Sequence, residues 1–425
     1  MKILFAVHQF FPHHYTGTER VVLNLCRQLQ RMGHDVIVLT YAIDSAEGLY
    51  PRGAFLVGKY SFKGIPVIAV RHREPPEDLD FIFRDEGMQA LLESIIEDEQ
   101  VDIIHVCHPM RVGSIIPAAI SRSLPVVVTL TDFWLLCPKF IAVTGKGIPC
   151  DGPWGGKRCA EECYEPSWKY RIRERLQEID GVKNQVSAFV SPTDFLKRIF
   201  EGNRYRSVYR IPFGLDYQDI RIQEKKYNDD SAVVFGYLST PVRHKGAHVL
   251  IDAFLRADMP NTSLKVFGDD RADREYYENL KSASGGDPRV EFCGRYHHEE
   301  LSSILGSLDV VVIPSLWWEN SPLVLLTALA CGVPAIVSDL GGLTESVQDG
   351  VNGYSFKAGD IDALATVIRT IASSPSGLQE LRAGITYPAR IEEEAVQYEK
   401  IYQNIWNPGE KHGSAGKKRQ RSRVP

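Results

Sequence analysis

Pro314 to Gly353, PSLWWENSPLVLLTALACGVPAIVSDLGGLTESVQDGVNG, follows directly on the apolar run Asp309-Val310-Val311-Val312-Ile313. A buried strand there hands over to a loop carrying Glu319, then to an apolar helix predicted over Pro322–Cys331, then to a second β-branched run at Ala335–Ser338. Strand, helix and strand in that order make one unit of a parallel sheet. The layout aims a helix N-terminus, with free N–H groups and a partial positive charge, at whatever occupies the cleft. Anions bind such a site readily, pyrophosphate among them. An ionised Glu319 only accepts hydrogen bonds, which suits it to hydroxyl groups. Together these features predict a ligand with both sugar and phosphate parts.

Working outward, the same alternation fills both halves of the chain. Strands are predicted at Lys2–Val7, Asp35–Thr40, Pro66–Val70, Asp102–Val106, Pro125–Thr129 and Ala188–Val190, then at Ala232–Tyr237, Ser263–Phe267, Val290–Phe292, Asp309–Ile313 and Ala335–Ser338. Helical patterns separate them, the first ended by Gly33 as a C-cap. With 425 residues the chain exceeds what one core usually supports. Two doubly wound Rossmann-like domains facing across a cleft are therefore expected, over 1–212 and 213–390. Residues 391–406 read as a last helix crossing back to the first domain, and the Lys- and Arg-rich 407–425 as a disordered basic tail.

Composition narrows the class. The chain is 44% hydrophobic and 24% charged, ordinary for a soluble enzyme. Its net charge of -5 argues against nucleic acid as a partner. No apolar run is long enough to span a bilayer, and Met1–Val7 reads as a first strand, so the cytoplasm is the expected compartment.

Several motifs carry chemistry. The loop His8–Arg20 lacks G-x-G-x-x-G, which disfavours a dinucleotide and an oxidoreductase. Gly17, at the next helix start, would let a ligand approach the backbone closely; a purely structural cap position is the other reading. Arg243 and Lys245 precede another helix at a strand's C-terminal end and suit a pyrophosphate leaving group; ordinary solvated loop charges are the alternative. Cys137, Cys150, Cys159 and Cys163 cluster among Gly and Pro. A structural four-cysteine zinc site and reduced structural thiols both stay open, since the spacing contains no C-x-x-C pair. Trp168, Ile172, Leu176 and Ile179 share one helical face among basic residues, fitting either core packing or peripheral contact with the inner face of a membrane.

These residues carry a resemblance. Gly236…Lys245-Gly246, Pro314-Ser315, Glu319-Asn320-Ser321-Pro322, Ala328, Cys331-Gly332-Val333-Pro334, Gly341-Gly342, Glu345 and Asp349–Gly353 resemble the retaining, sugar-nucleotide-dependent glycosyltransferases of family 4, with the GT-B fold. Gly17-Thr18-Glu19-Arg20 is similar to that family's opening unit, and Asp132–Pro138 to a cleft segment of one branch. The resemblance implies a nucleotide sugar on the second domain and a glycan, lipid-linked or small-molecule acceptor on the first. By position it gives Glu319 the donor-sugar hydroxyls, with backbone amides around Asn320, Ser321 and Leu323 assisting. It gives Lys245 and Arg243 the leaving pyrophosphate, Gly17 the donor phosphates, and Asp132 and Trp134 the acceptor side. No cofactor or metal is required for transfer. The implied activity is a hexosyltransferase serving glycan or polysaccharide biosynthesis.

Three positions depart from the family pattern. Thr327 stands where a ribose-gripping Glu is usual and, as a donor-binding residue, can make one such contact but not a charged bidentate one; Tyr237 stands where an Arg is common, and Thr131 where a His precedes the aspartate. His8, His105 or His108 are the substitutes available for that His. A non-catalytic GT-B glycan- or partner-binding protein, and a sugar-nucleotide epimerase, are the alternative readings.

Overall fold

A computed structural model describes residues 1–406; the predicted basic tail lies outside the described residues. The first sheet comprises β1 (Lys2–Val7), β2 (Asp35–Tyr41), β3 (Tyr50–Arg52), β4 (Phe55–Phe62), β5 (Ile65–His72), β6 (Ile103–Val106), β7 (Val126–Thr129), β8 (Ala188–Ser191) and β9 (Val208–Arg210). Its order is β3-β4-β5-β2-β1-β6-β7-β8-β9. The second comprises β10 (Val233–Leu238), β11 (Thr262–Phe267), β12 (Val290–Gly294), β13 (Val310–Ile313), β14 (Ala335–Ser338) and β15 (Gly353–Phe356), ordered β12-β11-β10-β13-β14-β15.

The central strands β6, β7, β8, β13 and β14 are buried at every position. Helices cover both faces of a parallel sheet, so these strands are mostly apolar with no polar alternation, His105 inside β6 being buried and hydrogen-bonded. The exception is the β4–β5 hairpin, an antiparallel extension whose turn is Lys63-Gly64, both at positive φ. That turn matches the twist of a two-residue hairpin. β4 breaks the apolar run with Gly58, Lys59 and Ser61, which is why its sequence does not announce a strand.

The chain crosses between the sheets twice, side by side. Leu215 N–H donates to Ala389 O at 3.0 Å, and Ile391 N–H to Leu215 O at 3.0 Å. A Cβ on Gly214 would lie 2.5 Å from Arg390 O, so only glycine permits the approach. After the second crossing, the helix Ile391–Ile405 buries Ile391, Ala395, Tyr398 and Tyr402 against β1, β2 and the helix Gly17–Arg31. No helix among the described residues is long and apolar enough to cross a membrane. Trp168, just before the helix Lys169–Lys183, and Ile172 and Leu176 within it pack on Phe81 and Cys159, and Ile179 enters the main core. That face is occupied, so the membrane-contact reading of it is corrected to core packing.

Candidate functional site

Leaving aside the antiparallel β3–β4 extension, the strand order of each sheet reverses between β1 and β6 and between β10 and β13. Ligands of doubly wound sheets bind in the crevice outside the strand C-termini at that point. Glu319, Lys245 and Arg243 fall at the second of these crevices, and His8, His108 and Asp132 at the first.

At the second crevice, Leu316 N–H donates to His244 O at 2.8 Å, lacing the loop after β13 to the loop after β10. Gly246 allows this: its φ is +73°, and a Cβ there would collide with Pro314 O. Gly342 N–H donates to Glu319 O at 2.7 Å, and a Cβ on Gly341 would collide with the same oxygen. The Glu319 backbone is thus fixed from two sides. Its side chain is 5% exposed. Oε1 accepts from Lys245 Nζ at 2.6 Å, Ser315 Oγ at 2.7 Å and Trp317 Nε1 at 2.8 Å. Burial works to raise this carboxyl, but the Lys245 charge and the three donors outweigh it and hold it below the usual carboxylate range. The Lys245 ammonium also sits 4.6 Å over the Trp317 ring. Lys245 and Glu319, given separate tasks by sequence, are directly paired. Arg243 is exposed on the same turn. Ser315 enters the sequence reading only as part of a motif, with no role of its own, and Trp317 does not enter it; the aromatic doublet immediately before the glutamate is the available signal.

The helix Leu323–Ala330 begins at Pro322 without a side-chain cap. Across the cleft the helix Gly17–Arg31 also lacks one, because the Thr16 hydroxyl donates to Glu19 Oε2 at 2.6 Å. Val21 of one helix shares a small apolar cluster with Leu326 and Ala330 of the other, together with Phe213 and Leu215 of the crossing segment. Gly17 is exposed, and a Cβ there would meet no atom within 4 Å.

At the first crevice, His8 follows β1, His108 follows β6 and Asp132 follows β7. The His8 and His108 rings lie 4.0 Å apart. His108 Nδ1 accepts from Met110 N–H at 3.3 Å, which places its proton on Nε2, 2.6 Å from Asp132 Oδ2. Burial, reinforced by His108 and Arg111, pushes the His8 imidazole well below its ordinary pKa, so it is neutral. His105 does not reach the crevice. It is buried between Tyr402 OH at 2.6 Å and Thr129 Oγ1 at 2.7 Å, and burial lowers it to about 3.

The two domains also meet directly. Asn320 Oδ1 accepts from Thr193 Oγ1 at 2.8 Å, while Nδ2 donates to Leu130 O at 3.1 Å and Thr131 O at 3.2 Å. Glu345 accepts from the Asp194 and Phe195 amides at 2.9 and 2.5 Å, capping the helix Asp194–Gly202 from the other domain. Trp318 packs 5.1 Å from Phe195 and 6.1 Å from Phe133. The Asn320 side chain therefore bridges the domains and is already occupied in this structure.

Three further expectations change. Trp134 is fully buried; its indole donates to Asp80 O at 2.9 Å and its face covers Arg175. It supports the Asp132 loop from below and cannot touch an acceptor. Thr327 is buried and its hydroxyl donates to Leu323 O at 2.7 Å, one turn back in its own helix. Cys137, Cys150, Cys159 and Cys163 do line one apolar cavity. No group of three or more His, Cys, Asp or Glu side chains among the described residues is placed to hold a metal, however. The zinc reading gives way to free thiols, with burial pushing Cys137 and Cys150 up and Cys159 to about 12.

Two family models match successive parts of the chain: Glycosyltransferase Family 4 over residues 15–219 and Glycosyl transferases group 1 over residues 218–391. An uncharacterised glycosyltransferase of Methanocaldococcus jannaschii is 25% identical over 378 residues, 88% of this chain and 89% of that protein. Sucrose-phosphate synthase from Thermosynechococcus elongatus superposes with a TM-score of 0.68 at 18% identity, covering 95% of this chain and 98% of that one. Anabaena HepE in complex with UDP and glucose gives 0.68 at 19% identity, covering 95% and 99%. At such identities the likeness concerns the fold, GT-B.

Proposed function

We propose, on the premise that this chain belongs to the family 4 glycosyltransferases, that it moves a hexose-type sugar from a nucleoside-diphosphate donor to an acceptor hydroxyl with retention, in glycan or polysaccharide biosynthesis. One observation carries the reading: Glu319, buried yet held ionised, shares Lys245 at the mouth of an uncapped helix. A charge kept out of water needs a use or a partner. Lys245 supplies the partner until a diphosphate arrives as the stronger anion.

In this reading the donor phosphates lie between the starts of the helices Leu323–Ala330 and Gly17–Arg31, where unpaired amides and both dipoles favour negative charge. Lys245 and Arg243 neutralise the charge that grows on the leaving diphosphate. Glu319, released from Lys245 but still bonded by Ser315 and Trp317, accepts hydrogen bonds from the transferred sugar's hydroxyls. The acceptor attacks from the face the diphosphate leaves, and a donor phosphate oxygen takes its proton. These cations and dipoles supply the stabilisation, with no cofactor needed. The HepE complex with UDP and glucose supports a nucleotide-sugar donor by analogy of fold.

The test is a panel of UDP-, GDP-, dTDP- and ADP-sugars read by thermal shift and by nucleotide release. Stabilisation by one nucleotide with slow release, abolished in Glu319→Ala, is expected. Absence of binding by every member would sink the transferase reading, and isomerised donor without transfer would select an epimerase.

A further inference from the structure

Two polar atoms at the first crevice lack any hydrogen-bond partner although they are shielded from water: His8 Nδ1 and Glu19 Oε1. His8 is 8% exposed and Glu19 fully buried. An unsatisfied buried polar atom is costly, and native proteins rarely leave one without a reason. The two share one environment. His8 Nε2 lies 3.7 Å from Glu19 Oε1, and Glu19 opens the helix that starts at Gly17.

The chemistry of His8 follows from its neighbours. Its ring is stacked 4.0 Å from His108, whose two nitrogens are already taken by Met110 N–H and Asp132. His108 can therefore neither donate to nor accept from His8; it acts as a wall. Glu19, an acceptor, faces Nε2 and draws the proton of the neutral ring to that nitrogen. Nδ1 is left with a lone pair and no proton. It can only accept, and a hydroxyl is the donor that adds no charge beside Glu19, Asp132 and Arg111. His8 follows β1 and His108 follows β6, so the residue stands at the strand-order reversal of the first sheet, where a doubly wound domain binds ligands.

We propose that His8 Nδ1 accepts a hydrogen bond from a hydroxyl of a neutral polyol or sugar acceptor, making His8 an acceptor-binding residue of the first domain. This rests on the transferase reading above for its role in turnover, but not for the binding event itself. His108 and Asp132 hold the ring plane and the Glu19 carboxylate holds its tautomer.

The binding is tested with protein labelled with 15N in its imidazoles, titrated with methyl glycosides of glucose, galactose and mannose and with inositol. The His8 Nδ1 resonance, assigned through His8→Asn, is expected to move with at least one of them. If none moves it, the inference is overturned, whether or not the enzyme releases nucleotide. In turnover with the donor found active, His8→Ala is expected to raise the acceptor KM about tenfold, the loss of one hydrogen bond, with a smaller effect on the donor KM. His8→Asn, whose Oδ1 falls near the place of Nδ1, is expected to recover most of it. Equal rises in both KM values, or no recovery in His8→Asn, would count against acceptor contact and for a merely structural ring. An enzyme that binds a glycoside through His8 but uses no nucleotide sugar would keep this inference and remove the transferase reading.

Discussion

Lys245→Met isolates the pairing at the second crevice. It removes the ammonium 2.6 Å from Glu319 Oε1 and preserves most of the side-chain volume. The carboxylate, 5% exposed, is left with Ser315 and Trp317 as donors and no countercharge in contact. Breaking a buried pair this way costs about 3–5 kcal/mol. Because the Lys245 side chain is 22% exposed, water screens part of it, and the lower end, about 3 kcal/mol, applies. For a domain of this size that lowers the melting temperature by roughly 6–12 °C. Glu319→Gln should cost less, since it leaves a partly exposed ammonium that can turn to solvent. The double variant should be markedly more stable than the sum of the two losses, because no naked carboxylate remains. The pH dependence supplies an independent check. In the wild type the Glu319 carboxyl is depressed, so its contribution is present at neutral pH and lost as pH falls through the folded pKa. Without Lys245, burial dominates and raises the carboxyl, so the penalty should shrink on acidification. Melting curves of all four proteins at pH 5 and pH 8 decide it. Strictly additive losses, or a Lys245→Met penalty that is no smaller at pH 5, would refute the pairing argument.

Further outcomes follow from other contacts. Glu394 is 1% exposed, accepts Gly214 N–H at 2.7 Å through one oxygen, and is raised by burial from 4.5 to about 8. A raised pKa stabilises below 4.5 and loses that contribution as pH rises towards 8; at about 1.4 kcal/mol per pH unit the loss is bounded at roughly 5 kcal/mol. Thermal melts from pH 5 to 9 should decline in the wild type and stay nearly flat in Glu394→Gln. Asn320→Ala strips bonds from Thr193, Leu130 and Thr131, so cleavage in the crossing segment 211–216 by a limiting protease should quicken, with both domains still folded by circular dichroism. Gly246→Ala combines a left-handed backbone with a collision at Pro314 O and should cost at least about 2 kcal/mol. It should also weaken nucleotide protection in thermal shift, because Lys245 moves with that turn.

Much of the architecture is legible locally. β-branched runs mark β1, β2, β6, β7, β8, β13 and β14 because both faces of those strands are buried, so nearly every position must be apolar. β5 is foreseen over Pro66–Val70, but its hairpin partner β4 escapes because it lies at the solvent and its pattern is broken. The helix Asp194–Gly202 also escapes, being short, although Thr193 caps it in the ordinary way. At the site, Glu319, Lys245 and Gly17 are visible from motif and spacing. Trp317 is not, since an aromatic in a loop carries no sign of which atom its N–H will meet. Trp134 misleads for the converse reason: sequence puts it in the cleft segment, but only packing decides which way the indole turns.

Local sterics and periodicity alone mark most of the buried strands, the glycines where loops can approach, and the charged residues at strand ends. The tertiary structure alone decided what those side chains do. It joined Lys245 to Glu319 across 74 positions, spent Asn320 on holding the domains together, and left His8 Nδ1 without a partner. Hydrogen bonds and desolvation depend on which atoms come within about 3 Å, and residues distant in sequence reach that range only when the sheets have assembled.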